Sequence, residues 1–299
     1  MNKVVISASR RTDIPAYYAD WFSTALKKGY AHYKNPYSNI PVFADLSSGN
    51  VKAFVFWSRN PQPLFKHLDY IDQNYNKKHY MHFTINGLPH DLEIRNPAID
   101  FAVKSAEFLA KRYGPDYIQW RFDPIVFSSV STPEFLINKF EEITSKLEGM
   151  TTRCYFSFVD LYEKTKQNFA KASMTADIEF HKPSVTQQLS FVREMLSSAK
   201  KHKITLYACA EDFLLESFPN IIKAKCVDND IIDKLCPDEP KSNYKSEPSR
   251  IGCGCIESKD IGYYDSCPHG CIYCYANRDP ELALKNAKHY QKSGFPLDH

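Results

Sequence analysis

The residues best equipped for chemistry in this chain are its cysteines. There are nine, and five of them fall between residues 253 and 277. Cys267, Cys271 and Cys274 form C-x3-C-x2-C, with Cys253 and Cys255 twelve or more residues upstream. A thiolate is a soft anionic ligand, and several on one short stretch select zinc or an iron–sulfur cluster. Three such ligands can hold three irons of a four-iron cube and leave the fourth open to another molecule. The rival reading is a structural zinc knot, which normally takes four ligands. Cys253 and Cys255 cannot hold a cube alone. With Cys209 and Cys226 they could complete a second four-cysteine site, either another iron–sulfur cluster or zinc, with Cys236 as a competing ligand. The plainer reading makes Cys209, Cys226 and Cys236 small buried hydrophobes, and Cys154, inside a predicted strand, is expected to be one.

A second set of polar groups follows short apolar runs: Arg10, Arg11, Asp13, Arg59, Thr84, Arg121, Asp123, Asp160 and Glu211. Each alone is commonly an ion pair or a cap. Gathered from five or six strand ends, they read as an active-site rim. Asp123, Glu211, Asp160 and Arg121 are the candidate catalytic groups. Arg10, Arg11, Asp13, Arg59 and Thr84 are candidates for cofactor contact, with an arginine suited to a carboxylate and a carboxylate to an amino group. His269 is expected to be a solvent-exposed loop residue. No glycine-rich phosphate loop of recognised type is present, and 10 glycines in 299 residues argue against an ordinary dinucleotide fold.

These groups need a scaffold. Apolar runs predict strands at 3–8, 51–57, 79–85, 117–122, 153–159 and 203–209, with shorter extended pieces at 30–34 and 41–46 joined by a turn at Asn35-Pro36. Helices are predicted from Pro15 to Lys28, Pro63 to Asn74, Asn96-Pro97 to Gly114, Thr132 to Gly149, Ser184 to Lys201 and Asp279 to Gln291. Alternation of this kind points to a parallel sheet. Six or seven such units suit a TIM-like (β/α) barrel, complete or partial, as one domain over residues 1–299. Residues 237–299 form a cysteine-rich cluster-binding segment within it, entered through a polar, proline-rich loop at 237–250.

Hydrophobic content of 43% and charged content of 24% are ordinary for a soluble globular chain. No apolar run approaches the ~20 residues that span a bilayer. The N-terminus has no signal-peptide pattern, and crowded, odd-numbered cysteines suit metal ligation in a reducing compartment. The expectation is a cytoplasmic protein with no membrane partner. A net charge of +3 neither requires nor excludes nucleic acid.

The cysteine spacing, with Tyr273 before the last cysteine and Tyr275-Ala276 after it, resembles the cluster loop of radical S-adenosylmethionine (SAM) enzymes. The whole chain resembles the domain of unknown function 1848 family. The matching stretches are Ile6–Pro15, Phe56–Pro61, His82–Thr84, Trp120–Pro124, Ser157–Asp160, Cys209–Glu211 and Cys253–Asn277. Ser58 and Arg59 stand where that family often has Thr and Lys. The resemblance implies a [4Fe-4S] cluster on Cys267, Cys271 and Cys274 that reductively cleaves SAM, starting radical chemistry on an unknown substrate. It also implies an electron donor such as flavodoxin or ferredoxin. In most radical SAM enzymes the cluster loop follows the first strand, whereas here it comes last. A barrel is cyclic, so residues 260–264 and the terminal helix are expected beside the N-terminal strand as a permuted first unit. Two other readings stay open. One is a barrel hydrolase using Asp123 and Glu211, with zinc only stapling the C-terminus. The other is a nucleic-acid-binding or repair protein with a structural cluster.

Overall fold

The computed structural model describes residues 3–34, 40–239 and 243–293. The turn expected at Asn35-Pro36 lies outside them. Strand β1, Val4–Ala8, is almost wholly buried. The helix expected next is two: α1, Ile14–Tyr17, and α2, Ala19–Lys28, separated at Tyr18 by a non-helical backbone (φ −132°, ψ 23°). Asp13 caps α1 by accepting from Ala16 N, which sets the chain's direction out of β1. Gly29 ends α2 in the left-handed conformation at φ 80°. Strands β2, Tyr30–Lys34, and β3, Pro41–Asp45, pair with each other in a separate antiparallel sheet.

The main alternation follows. Strand β4, Val51–Ser58, leads through a 3₁₀ turn, Gln62–His67, into α3, Leu68–Tyr75, and then β5, His79–Thr84. Helix α4, Ile99–Tyr113, is flanked by Ala98 with no side-chain cap, so the cap expected at Asn96 is not made there. The Asn96 amide faces Cys271 instead. Strand β6, Ile118–Arg121, precedes α5, Pro133–Lys146, which Thr132 caps as expected. Strand β7, Arg153–Phe156, is followed by α6, Glu163–Ala176, unanticipated in the sequence, and α7, Val185–Lys201, with a Ser184/Gln187 capping box. Strand β8, Thr205–Ala208, α8, Asp212–Ser217, β9, Ile222–Lys223, α9, Asn229–Leu235, β10, Lys259–Asp260, and α10, Pro280–Ser293, complete the order. Among the described residues no helix is long and apolar enough to cross a membrane.

Eight strands form one sheet in the order β10-β1-β4-β5-β6-β7-β8-β9, every pair parallel. The last strand thus lies beside the first, as the permutation argument expected, with Ile6 opposite Lys259 and Ser7 opposite Asp260. One face of the sheet is covered by helices. Phe22 of α2 packs edge-on to Phe54 and Phe56, and Phe140 of α5 stacks on Trp120. The other face carries large polar and aromatic groups, among them Trp57 stacked on His82 with ring centres 4.3 Å apart. The sheet is strongly curved. His82 Nε2–H donates to Cys226 O at 2.7 Å and Tyr80 O–H to the same oxygen at 2.8 Å, although three strands separate β5 from β9. No ladder joins β9 to β10 among the described residues, but Ile256 N donates to Val227 O at 3.2 Å between the segments next to them. Glu239, at the start of the polar segment, accepts from Lys3, Lys52 and Lys78, which ties it beneath the sheet's N-terminal strands.

Candidate metal-binding sites at the strand ends

In parallel sheets the groups that follow strand C-termini converge at one edge, and loops carry the chemistry there. The predicted rim residues follow β1, β4, β5, β6, β7 and β8 in this way. The loop bearing Cys267, Cys271 and Cys274 lies over the β1, β4 and β5 end of that edge. It is tied down from several directions. Arg95 N donates to His269 O at 2.9 Å and Ile272 N to Leu92 O at 3.1 Å. Tyr18 O–H donates to Ser266 O, and Asp265 accepts from Arg278 N and Nε. Asn277 Nδ2 donates to Cys267 O at 2.7 Å.

Cys271 is buried; Cys267 and Cys274 are half-buried. Burial first, then the charge of Cys271, pushes the Cys274 thiol up to about 11. Cys267 is raised by burial, Asp13 and the other two cysteines. Burial also raises Cys271, against a downward pull from Arg59. Buried thiols raised in this way would all act as thiolates only beside a cation. The surrounding groups suit such a cation–thiolate assembly: Asn96 Nδ2 donates to Cys271 Sγ at 3.4 Å and Ala276 N to Cys274 Sγ at 3.3 Å. Asn96 Oδ1 and Asn277 Oδ1, beside the triplet, are buried without a protein partner.

His269 is not the exposed loop residue expected. It is 3% exposed, with Nε2 2.7 Å from Asp13 Oδ2 and Nδ1 3.2 Å from Tyr17 OH. Asp13 also accepts from Ser58 Oγ and Arg59 N, both at 2.8 Å. With its α1 cap counted, this carboxylate is fully engaged in joining β1, β4 and the cysteine loop. Arg59 is likewise engaged: Nη1 donates to Glu93 Oε1 at 2.7 Å and Nη2 to Tyr273 OH, and Tyr273 O–H donates to Glu93. Glu93 and Asn86 are site residues that sequence reasoning missed. Both lie in the loop after β5 without a motif around them. Thr84 is half-buried and lines a small recess with Arg59, Asn86, Glu93 and Asn96.

Arg10 and Arg11 converge on a residue not singled out for the site, Asp260. Its carboxylate accepts from Ser7 Oγ at 2.9 Å, Arg10 N at 2.8 Å, Gly262 N at 3.1 Å and from Ser9 Oγ. The two guanidinium groups lie 3.7 and 3.8 Å away. Arg10 and Arg121 both sit over Trp57, 6.0 and 5.5 Å from its ring centre.

Arg121 is paired with Asp123, whose other oxygen accepts from Ser157 Oγ. Asn86 bonds the Asp123 backbone through Oδ1 at 2.9 Å and Nδ2 at 3.1 Å, linking this group to the Glu93–Tyr273 group. Glu211 accepts from Phe158 N at 2.9 Å. Burial pushes its carboxyl up to about 7, assisted by Asp123 and opposed by that bond. Asp160 stands apart from these groups: it is largely exposed and paired with Arg250.

The four remaining candidate ligands do come together. Cys209 Sγ is 3.8 Å from Cys226 Sγ, Cys226 also contacts Cys255, and Cys255 contacts Cys253. Thiols donating along this string lower Cys226 and Cys253 and raise Cys209 and Cys255. Cys236 is elsewhere, buried against Lys52 O, and Cys154 is buried within β7 as expected. The sulfurs are strung out rather than converged: among the described residues no three His, Cys, Asp or Glu side chains stand ready to hold an ion.

The molecule is thus an α/β protein with a parallel sheet of eight strands and two separate groups of cysteines, one on the loop over the ends of β1, β4 and β5 and one between the segments after β8 and β9 and the segment before β10. The domain of unknown function 1848 family matches residues 5–276, and the chain belongs to it. A comparison with curated proteins finds no match.

Proposed function

We propose that this chain is an iron–sulfur enzyme of the radical SAM type, with Cys267, Cys271 and Cys274 holding a [4Fe-4S] cluster. The observation that carries the reading is the triplet itself: three cysteines on one loop that is tied to the strand ends from several directions, with N–H groups aimed at two of the sulfurs. Bound there, such a cluster would supply one electron to the sulfonium of SAM, taken from a donor such as flavodoxin or ferredoxin.

The chain's own residues would fix the geometry. Arg59, Glu93 and Tyr273 hold the loop against β4 and the segment after β5, and His269 with Asp13 holds it against β1. The recess beside Cys271 is water-sized, about 20 Å³, and its Arg59, Glu93 and Asn86 are bonded to one another or to the chain, so these groups brace the cysteine loop. Trp57, flanked by Arg10 and Arg121, lines the inner face towards the second cysteine group. The curved sheet fits a (β/α) barrel whose seam lies between β9 and β10. With that seam, β10, the cluster loop and α10 form the permuted first unit.

The test is to purify the protein without oxygen, reconstitute it with iron and sulfide, and count both. About four irons bound through the triplet, with an electron paramagnetic resonance signal that changes on adding SAM, supports the reading. A triplet that binds only zinc, or a cluster unresponsive to SAM, overturns it. Either result turns attention to Asp123 and Glu211 as a hydrolytic pair or to nucleic acid as the partner.

A further inference from the structure

We propose that Cys209, Cys226, Cys253 and Cys255 form a four-thiolate site for one zinc ion, separate from the Cys267–Cys271–Cys274 triplet, which clasps the two edges of the parallel sheet. The proposal does not rest on the radical reading of the triplet.

The spacing of the sulfurs identifies the kind of site. Zinc–sulfur bonds of about 2.3 Å in a tetrahedron place neighbouring sulfurs about 3.8 Å apart. The Cys209–Cys226 separation is 3.8 Å. In a four-iron cube each cysteine sits on a different corner, and its sulfurs stand well beyond contact with one another. A string of touching sulfurs needs only its two ends, Cys209 and Cys253, to fold inward around an ion.

Three of the four sulfurs already receive a donor from the protein. Arg121 Nη1 donates to Cys226 Sγ at 3.1 Å, Val227 N to Cys255 Sγ at 3.4 Å and Ser249 Oγ to Cys253 Sγ at 3.5 Å. Cationic and N–H donors of this kind orient metal-bound sulfur and offset its negative charge. Cys209, Cys226 and Cys255 are 8%, 5% and 2% exposed, so the site is closed to water on most sides. A closed set of four cysteine ligands marks a structural rather than a catalytic zinc.

The position gives the role. Cys209 ends β8, Cys226 follows β9, and Cys253 and Cys255 lead into β10. These segments flank the two edges of the sheet, β9 and β10, which no ladder joins among the described residues and which the Ile256–Val227 bond bridges. Gly254, between the last two ligands, passes so close that an added Cβ would lie 3.1 Å from Ala224 O. A metal joining these segments takes the place of strand pairing at the seam.

The test uses the full chain, purified anaerobically without chelators, with metals counted by mass spectrometry. Wild type and the C267S/C271S/C274S variant should each retain about one zinc per chain, and C253S/C255S should lose it at least tenfold. Cobalt(II) exchanged into wild type and the triple variant should give sulfur-to-cobalt charge-transfer and tetrahedral d–d bands. If C253S/C255S does not fold, titrating wild type with a mercurial should release zinc with about four thiols per ion. Zinc that leaves with the triplet, iron in place of zinc in the triple variant, or a Cys209–Cys226 disulfide in the purified protein would each overturn the proposal.

Discussion

Replacing Asp260 by Asn tests what holds the last strand in place. Strand β10 is two residues long and pairs with β1 at only two positions, so its ladder contributes little. The Asp260 carboxylate adds four hydrogen bonds and two guanidinium neighbours, and it is 5% exposed. One oxygen accepts from Ser7 Oγ and Arg10 N, the other from Ser9 Oγ and Gly262 N. The hydroxyls can turn; the backbone N–H groups cannot. Whichever way Asn sits, its NH2 faces a buried backbone N–H and leaves it without an acceptor. That orphaned donor costs about 1–3 kcal/mol, and the lost charge-assisted bonds add roughly 1 kcal/mol more. We expect D260N to lower stability by about 3 kcal/mol at pH 7, read as a lower urea midpoint at unchanged slope. Hydrogen exchange should show faster opening at residues 259–264 than in the centre of the sheet. A D260N protein within about 0.5 kcal/mol of wild type would refute the reasoning, because it would mean that packing alone seats β10 on β1.

Three further outcomes follow from the same geometry. R59M leaves the buried Glu93 carboxylate without its cation and should cost about 3 kcal/mol; R59M/E93Q should recover at least about 1 kcal/mol of that in a double-mutant cycle. G262A should destabilise by about 2 kcal/mol in urea, because an added Cβ would lie 2.1 Å from Ser9 Oγ and displace it from Asp260. His79 is fully buried between Asp72 and Tyr117, and burial lowers its pKa although Asp72 pulls the other way. Its folded pKa is below its unfolded one, so its contribution is intact above about pH 6.5 and falls away as the pH drops below that. H79Q should flatten the wild-type loss of stability between about pH 6.5 and 5, measured by denaturant midpoint.

The strands and helices that could be read from sequence are those in which local signals agree with tertiary placement. Strands β4 and β5 are rich in aromatic and aliphatic residues and buried along almost their whole length, and α5 and α7 announce themselves through Thr132 and Ser184 caps. Helix α6 gave no such signal: its buried positions are Thr165, Asn168 and Phe169, too few apolar residues for a stripe. Strand β9 is two exposed residues, below what alternation can reveal. The helix expected over 15–28 breaks at Tyr18, whose hydroxyl is drawn to Ser266 in the distant cysteine loop, a tertiary demand with no local trace. At the site, the cysteines were legible as candidate ligands because their spacing is a property of sequence. Asp13 and Arg59 were legible as important but not as what they do. Glu93, Asn86 and Asp260 lie alone among ordinary residues, and only the fold brings them to their partners.

Those partners define how the last part of the chain docks. The segment from Cys253 to Asn277 meets the body of the protein at three places in succession. Cys253 and Cys255 meet the ends of β8 and β9, Asp260 meets β1, and the loop of Cys267–Cys274 meets the segments after β1, β4 and β5. The middle anchor is polar and depends on nothing but the chain. The outer two are thiol groups whose sulfurs receive single donors from the protein: Ser249 Oγ, Val227 N, Asn96 Nδ2 and Ala276 N. Strand β10 lies between these two groups in the chain and is tied to β1 through Asp260. If the upstream cysteines bind a metal, the position of the downstream triplet is set partly by that metal through Asp260. Losing the upstream ion should therefore loosen the triplet's loop in hydrogen exchange, even though no residue of one cysteine group ligates with the other.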